Sequence, residues 1–520
     1  MMTLTYIFGA VVLLGLCIFV HELGHLLGGK MVGIKAKVFS MGYGKGFWRK
    51  KYGDTTYQIT LIPFGGYCQF YGEDPSETRS GEGFEFLSAH PLKRIVTVAM
   101  GPIFNLIFGI LLFYIMNLTG YTKETNRILI PAELTAGTYI SPAYQSGLRS
   151  GDRIISISGK DIKAFSDIQT EVFFSDGHEL EIKVQRDGEV KTFKVTPSSE
   201  SGEGRYTLGV MPYTTGITLS RVIKGSTAEL NGLSGKDTIL KINGETVHTP
   251  SELSEYLQKG EGKEISLVFL KNGEEKTVLL KPAMTEVFII TSPAKNKNPE
   301  TFAGNEEFKQ LIAQGQVRVD GKPITEYNEF LNDVNRTSAA GHEAIIDVNN
   351  VRYSGKIEVK KRYMIGIEQM GIVFETVYVK YGPVDGLVQS VIEPWDFLVM
   401  NIKGFGMLFS GKMDVRENLS GPIRIAKIAG DVLYYRGIAD FILLMAKISV
   451  ILMFMNLLPI PAVDGSHLVF YIIEAVRGKP ISEKIMIKIQ TFGVVFLIVL
   501  GVFVIINDIT MLPFVQNLFK

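Results

Sequence analysis

Val20-His21-Glu22-Leu23-Gly24-His25 closes the first long apolar run of the chain. The stretch reads H-E-x-x-H. On a helix, His21 and His25 are four residues apart and lie on one face, one turn from each other. That spacing lets two imidazoles grip one zinc ion. Glu22 flanks the same face and can reach a metal-bound water as general base. The run leading into the motif, Tyr6 through Val20, carries no charge. Ionisable side chains at the end of such a run are costly in lipid, which makes them functional candidates. The competing reading is that the two histidines cap a helix at a membrane interface. A third ligand elsewhere in the chain decides between the two.

The 520 residues are 46% hydrophobic and 21% charged, with a net charge of +1. That length allows several domains, and the balanced charge gives no nucleic-acid signal. Apolar runs at about 4–28, 95–118, 438–458 and 487–508 each approach the roughly 20 residues that cross a bilayer. Between them, about 120–385 is ordinary water-soluble sequence. The first run lacks a basic n-region and a small-residue cleavage site, so it reads as a retained helix, not a signal peptide. Cys17 and Cys68 are the only cysteines. A disulfide and a cysteine-based zinc site are therefore not expected.

Positive charge sets the orientation. Lys30, Lys35, Lys37, Lys45, Arg49, Lys50 and Lys51 follow the first span, Lys93 and Arg94 precede the second, and Arg477, Lys479, Lys484 and Lys488 separate the last two. By the positive-inside rule these loops are cytoplasmic, which leaves the middle region outside the cytoplasm.

After the first span, Thr55–Pro63 alternates and reads as a strand; Gly65-Gly66 turns the chain and Tyr67–Tyr71 returns as its partner. This hairpin is either plain surface structure or an edge strand near the metal, able to pair with an extended peptide. Residues 72–90 read as a mobile polar loop. The second span holds Gly101-Pro102-Ile103-Phe104-Asn105, where Asn105 either bonds a neighbouring helix or holds a substrate backbone. Residues 385–412 read as an amphipathic helix at the membrane surface, and Asn418–Pro422 as a turn.

The middle region repeats itself. Gly147-Leu148-Arg149-Ser150-Gly151-Asp152 recurs as Gly232-Leu233-Ser234-Gly235-Lys236-Asp237, with a weaker copy at Gln316–Lys322. Gly177-His178-Glu179, Gly262-Lys263-Glu264 and Gly341-His342-Glu343 follow at similar distances. Tyr206-Thr207-Leu208-Gly209-Val210 is echoed by Tyr363-Met364-Ile365-Gly366-Ile367. Three tandem units are expected, at 125–212, 213–284 and 285–380. The first two resemble PDZ domains through G-L-x-x-G-D-x-I-x-x-I-x-G. The third lacks the Gly-Leu and Asp landmarks and is degenerate.

The third ligand is expected at Asp464, where an apolar helix breaks at Pro459, Pro461 and Gly465. A broken helix at membrane depth is tolerated where it lines a polar site, and a carboxylate completes a His/His/Asp zinc site with one position left for water. His467 is the rival.

Here the chain resembles the site-2 protease family. The carriers are H-E-L-G-H at 21–25, Ile62-Pro63-x-Gly65-Gly66-Tyr67, G-P-x-x-N at 101–105 and N-L-L-P-x-P-x-x-D-G at 456–465, with the PDZ-like units. Val463 stands where the family usually has Leu, and the third repeat is additional. The resemblance implies a polytopic α-helical membrane protein of about four transmembrane helices with an inserted array of PDZ-like α+β domains. The implied parts are 1–30 with the HELGH motif, a cytoplasmic loop with a membrane-associated hairpin at 31–92, a second span at 93–118, a third at 436–466 and a fourth at 485–510. It implies a Zn2+-dependent endopeptidase of the bacterial inner membrane that cuts single-pass transmembrane proteins in the bilayer, after another protease has shortened them. Anti-sigma factors and remnant signal peptides are the implied substrates. Zinc is assigned to His21, His25 and Asp464 and catalysis to Glu22. Substrate positioning is assigned to Asn105, Asn456, Pro459, Gly65, Gly66 and Tyr67. A catalytically inactive membrane scaffold presenting PDZ units is the alternative, and retention of all four site residues argues against it.

Overall fold

The structure is a computed structural model describing residues 2–74, 78–134, 141–199, 206–291, 300–303, 306–339, 344–348, 351–411 and 421–510. The chain divides into two compact units. One is built from Met1–Thr122 with Tyr378–Thr510, the other from Lys123–Val377.

The first unit is helical. Its labelled elements are α1 (Met2–Val32), β1 (Ala36–Tyr52), β2 (Thr55–Phe70), α2 (Pro91–Thr119), α3 (Pro383–Phe409), α4 (Pro422–Asp431), α5 (Ile438–Leu457), α6 (Asp464–Arg477) and α7 (Glu483–Thr510). Four helices are long and apolar enough to cross a membrane, over Leu4–Val32, Pro91–Thr119, Ile438–Leu457 and Lys484–Thr510. They match the four expected runs. A polytopic membrane protein follows, because only helices satisfy every backbone group within one apolar segment.

Glycines bring α1 and α2 together. A Cβ on Gly24 would run into the Met100 carbonyl, and one on Gly28 would overlap the Met100 side chain. Small residues four apart let two helix backbones approach closely, as lipid-embedded helices require. On the other side of α2, Gly109 admits Val450 and Ala446 of α5, and the Ser449 hydroxyl donates to the Asn105 carbonyl at 2.8 Å.

Three expectations change here. The third span ends at Leu457, not 466. Asp464 opens a separate helix, with Val463 as its extended N-cap residue. Gly465 lies inside that helix and is no breaker; its role is steric, since a Cβ there would run into the Leu458 carbonyl. The expected hairpin between 55–63 and 67–71 is also absent. Both stretches belong to β2, and both lie against β1: Ser40 faces Tyr67 and also Gln58, and Met41 faces Gly66 and also Ile59. Finally, 78–90 is tied down. The Glu85 carboxylate accepts from the Ser80 and Gly81 backbone N–H groups, and Phe86 stacks on Phe70 at 5.5 Å. Residues 418–420 of the expected turn lie outside the described residues.

The second unit holds three hydrophobic cores, one of them nested. The first includes Ile128, Leu148, Ile154, Ile182 and Leu208. Its sheet runs 160–161, 153–157, 180–186, 189–195 in order. The Asp152 carboxylate of the repeat motif is buried there, accepting from Arg186 Nε at 2.6 Å and from the Arg149 backbone N–H at 2.9 Å. The second core includes Ile217, Leu233, Ile239 and Leu267, and also Ile365 and Ile367. Its sheet runs 274–280, 265–271, 238–242, 214–222, 367–374. The closing strand thus comes from beyond the third repeat. The third core, with Phe288, Phe308, Val317 and Phe330, stands by itself, and its first and last paired residues, Ala283 and Met364, lie opposite each other.

The expected tandem order is therefore replaced by an insertion: the third unit interrupts the second. Equivalent bonds make the point. Ala143 N–H donates to the Leu208 carbonyl in the first unit, and Ala228 N–H to the Ile365 carbonyl in the second. Gly341-His342-Glu343, the third landmark, lies outside the described residues.

A fragment of residues 213–282 lacks Ile365, Ile367 and the closing strand. Losing a large buried aliphatic side chain costs about 2–5 kcal/mol, against a domain stability of about 5–15 kcal/mol. This fragment is expected to be unfolded by NMR amide dispersion. A fragment of 213–374 with 284–363 replaced by a short Gly-Ser linker is expected to fold. A well-dispersed spectrum from 213–282 alone would contradict the nesting.

Candidate metal centre

His21 and His25 sit one turn apart on α1, both buried, with their rings edge-to-face at 4.7 Å between centroids. Asp464, at the first turn of α6, meets them. Asp464 Oδ2 lies 3.0 Å from His21 Nε2 and 3.3 Å from His25 Nε2, and the two Nε2 atoms are 3.2 Å apart. Among the described residues these three are the group of His, Cys, Asp or Glu side chains able to share a metal ion. Zinc–nitrogen and zinc–oxygen distances of about 2.0–2.1 Å place tetrahedral ligand atoms roughly 3.3 Å apart. The observed triangle has those edges.

The hydrogen bonds around the triangle set its protonation. His25 Nδ1 lies 3.0 Å from the Thr97 carbonyl, which can only accept. Nδ1 therefore carries the proton and Nε2 a lone pair, the arrangement of a metal-ligating imidazole. His21 Nδ1 faces the fully buried Asn105 amide at 3.4 Å. The atom facing it is Asn105 Nδ2, and Asn105 Oδ1 has no partner. With the amide turned over, Oδ1 accepts from His21 Nδ1–H and His21 Nε2 is free. Asp464 Oδ2 is itself buried without a hydrogen-bond donor. Three acceptor atoms facing one point at 3 Å repel one another in a poorly solvated site. A cation resolves this, so the residues fit zinc.

Gly101 makes room for the second ligand. A Cβ at this position would run into the His25 imidazole. Glu22 lies on the other side of the pair, where the Cys68 backbone N–H donates to its carboxylate. A Cβ on Gly66 would stand 3.3 Å from Glu22 Cγ.

A cavity of about 570 Å³ joins these groups. His21, Glu22, His25 and Asp464 line it together with Tyr67, Cys68, Glu73 and His467, and α7 supplies Met486, Gln490 and Val494. The rival ligand His467 is thus in the wall, one turn beyond Asp464, but outside the ligand triangle. Burial holds its imidazole below the usual histidine range. Burial also pushes the Glu73 carboxyl up.

The expected substrate-positioning residues separate. Tyr67 lines the cavity, and Gly66 borders Glu22. Gly65 packs under the Tyr43 ring, whose hydroxyl donates to the Gly66 carbonyl at 3.1 Å. Asn105 stands behind His21. Asn456 and the exposed Pro459 are not among the lining residues. Sequence reasoning missed Thr97, whose part is played by a backbone carbonyl and leaves no mark on residue type. Gln490 was also missed, although an amide in an apolar helix was a usable signal.

Two histidines and a glutamate on an apolar helix, meeting an aspartate around one cavity, are the constellation of a membrane metallopeptidase. The chain belongs to peptidase family M50, the site-2 proteases, whose family model matches residues 9–500. It is similar to a protein of Neisseria meningitidis that bears the name of a zinc metalloprotease, with 28% identity covering 98% of this chain and 99% of that one. It is 27% identical to the regulator of sigma E protease of Haemophilus influenzae, over 96% of this chain and 97% of the relative. The corresponding protease RseP of Salmonella typhimurium is 26% identical over 96% and 98%.

Gly101→Ala is expected to displace His25 and abolish stoichiometric zinc, measured by elemental analysis of the detergent-purified protein. Gly15→Ala, on the same α1 helix with open space around it, is the control and should retain zinc. Full zinc in Gly101→Ala would show that His25 is not held as described.

Proposed function

We propose that the chain hydrolyses peptide bonds within single-pass transmembrane helices, with His21, His25 and Asp464 holding zinc and Glu22 moving the proton. The observation that carries this reading is the meeting of the ligand triangle, Glu22 and residues 67–68 of β2 around one cavity. Zinc, when bound, supplies the Lewis acidity that makes water nucleophilic near neutral pH. Glu22 accepts a proton from the attacking water and returns it to the leaving amine nitrogen, so one carboxylate serves both half-steps. Thr97 and Asn105 keep both imidazoles in the ligating tautomer throughout.

A helix hides its amides, so a substrate must be extended before it is cut. Among the described residues, β2 pairs only with β1. An extended segment joining residues 66–70 beside Glu22 would take the place of the bonds these residues now make, from Cys68 N–H to Glu22 and from Phe70 N–H to Glu73 Oε2 at 2.8 Å. Tyr67 is the side chain of this edge that faces the cavity. Asn456 and Pro459 belong to the substrate path only through the helix break that they flank.

The PDZ-like reading of the first two cores supports a size filter. The array is inserted between the second and third spans, so it can exclude substrates whose outer domains are intact. This matches the expectation that another protease cuts first. The sigma E regulators among the relatives favour an anti-sigma factor as substrate, with remnant signal peptides as the second class. Lysine and arginine in 30–51 and 477–488 favour a cytoplasmic side for those loops, and so an array outside the inner membrane.

Glu22→Gln should retain zinc and lose cleavage of a tagged single-span substrate by about 10²–10⁴-fold, the usual contribution of a general base. Near-normal turnover would remove Glu22 from the role.

Replacing 125–375 by a short linker should let the enzyme cut substrates with intact outer domains, scored by gel shift of the tagged product. If that zinc-loaded deletion still refuses them, the size-filter idea falls.

A further inference from the structure

The loop that delivers Asp464 is held from outside by the fourth apolar helix. Gln490 lies near the start of α7, among Ile487, Ile489 and Phe492. An amide in such surroundings is stable only when its donor and acceptor are both matched. Both are. Gln490 Oε1 accepts from the Ala462 backbone N–H at 2.7 Å, and Gln490 Nε2 donates to Ser466 Oγ at 2.9 Å. Ser466 Oγ in turn donates to the Val463 carbonyl at 2.8 Å. One amide thus brackets residues 462–466, with Asp464 at the centre.

The loop needs the help. Ala462 has φ +75, a left-handed conformation that costs a non-glycine residue of order 1 kcal/mol or more. Its N–H stands in the gap between α5 and α6, where no helical carbonyl serves it. One turn further along α7, Gly493 lets the helix close on Pro461, where a Cβ would collide. Gln490 and Gly493 share a face at i and i+3, and that face clamps the break.

We infer that Gln490 is a positioning residue for Asp464, so that α7 sets the metal affinity of a centre whose ligands all lie on other helices. The inference rests on the metal reading above. Hydrogen bonds one shell out from a ligand typically govern metal affinity by 10–100-fold. Tyr67 and Glu22 line the cavity from β2 and α1, whereas the Gln490 amide bonds to Ala462 and Ser466 on either side of Asp464, so a change at Gln490 acts on Asp464 and leaves the general base in place.

The test uses full-length protein in detergent, with zinc affinity measured by competition against a chromophoric chelator. Gln490→Met keeps the side chain's length and removes both hydrogen bonds. Ser466→Ala breaks the same bracket from the other end and is less demanding on the fold. Each should weaken zinc binding by about 10–100-fold while the metal-free protein keeps its wild-type helical circular dichroism. The double variant should be no weaker than the worse single one, because both changes cut one path. Wild-type zinc affinity in Gln490→Met, or effects that multiply in the double variant, overturns the positioning role. His21→Ala separates the two levels of failure. If it holds zinc as tightly as wild type, the metal reading itself is wrong and this inference falls with it.

Discussion

Three lone pairs aimed at one point, about 3 Å apart, form the constraint on which the helical unit is built. Three acceptor atoms, His21 Nε2, His25 Nε2 and Asp464 Oδ2, stand this close on largely buried side chains, where their mutual repulsion is weakly screened. The fold spends several features on keeping them there. Thr97 and Asn105 on α2 fix the two imidazoles from behind. Gly24, Gly28 and Gly101 let α2 come near enough to do so. Gln490 and Gly493 hold the loop that brings the carboxylate in. Arg94 and Glu474, paired at 2.6 Å and almost fully buried, tie the start of α2 to α6. Breaking such a pair strands a buried charge and typically costs 3–5 kcal/mol. The pair thus fastens α2, which backs the two imidazoles, to α6, which carries Asp464.

Much of this site was legible because its chemistry is written in residue types at fixed spacing. H-E-x-x-H places two ligands and a base on one helical face, and an acid after a doubly proline-broken helix is conspicuous. What escaped was carried by backbone or by shape. Thr97 contributes a carbonyl that any residue possesses. Gly101 was noticed only as part of G-P-x-x-N; that it clears space for His25 depends on a helix crossing that the sequence does not state. Asn105 was read as an amide that either bonds a neighbouring helix or holds a substrate backbone, and it lies against the His21 ring of the neighbouring α1. The β-ribbon was misread for a related reason. Gly42 and Gly44, at φ +85 and +94, interrupt the alternation that marks a strand. They fall beside the stretch 38–41, whose residues face two parts of β2 at once.

The nested array shows a different limit. Periodicity finds copies of a pattern; it does not assign each copy its closing strand. Tyr363–Ile367 follows the third repeat in sequence and so was counted with it. Packing gives Ile365 and Ile367 to the second core. The signal was present: the third copy lacked the motif of the other two, while the echo after it was a full one. A degenerate repeat followed by an intact echo is what an insertion leaves behind. The facing ends at Ala283 and Met364 explain why the host tolerates it, since an insert whose ends meet leaves its host strands almost undisturbed.

The same economy of space explains Gly66. On the proposed reading, a protease working on helices must hold one stretch of substrate extended while a base stands over the scissile amide. An edge strand supplies the extension through backbone bonds alone, which suits substrates that share a conformation and not a sequence. The strand must then run close to the base, and closeness excludes side chains. Gly66 lies where a Cβ would meet both the Ser40 carbonyl, at 2.9 Å, and Glu22 Cγ. Its φ is not left-handed, so the glycine is required by proximity and not by backbone conformation. The adjoining Gly65, at φ +106, turns the strand so that Tyr67 faces the cavity. One glycine aims the edge and the next lets it approach Glu22, which is why the pair occurs where the strand passes that carboxylate.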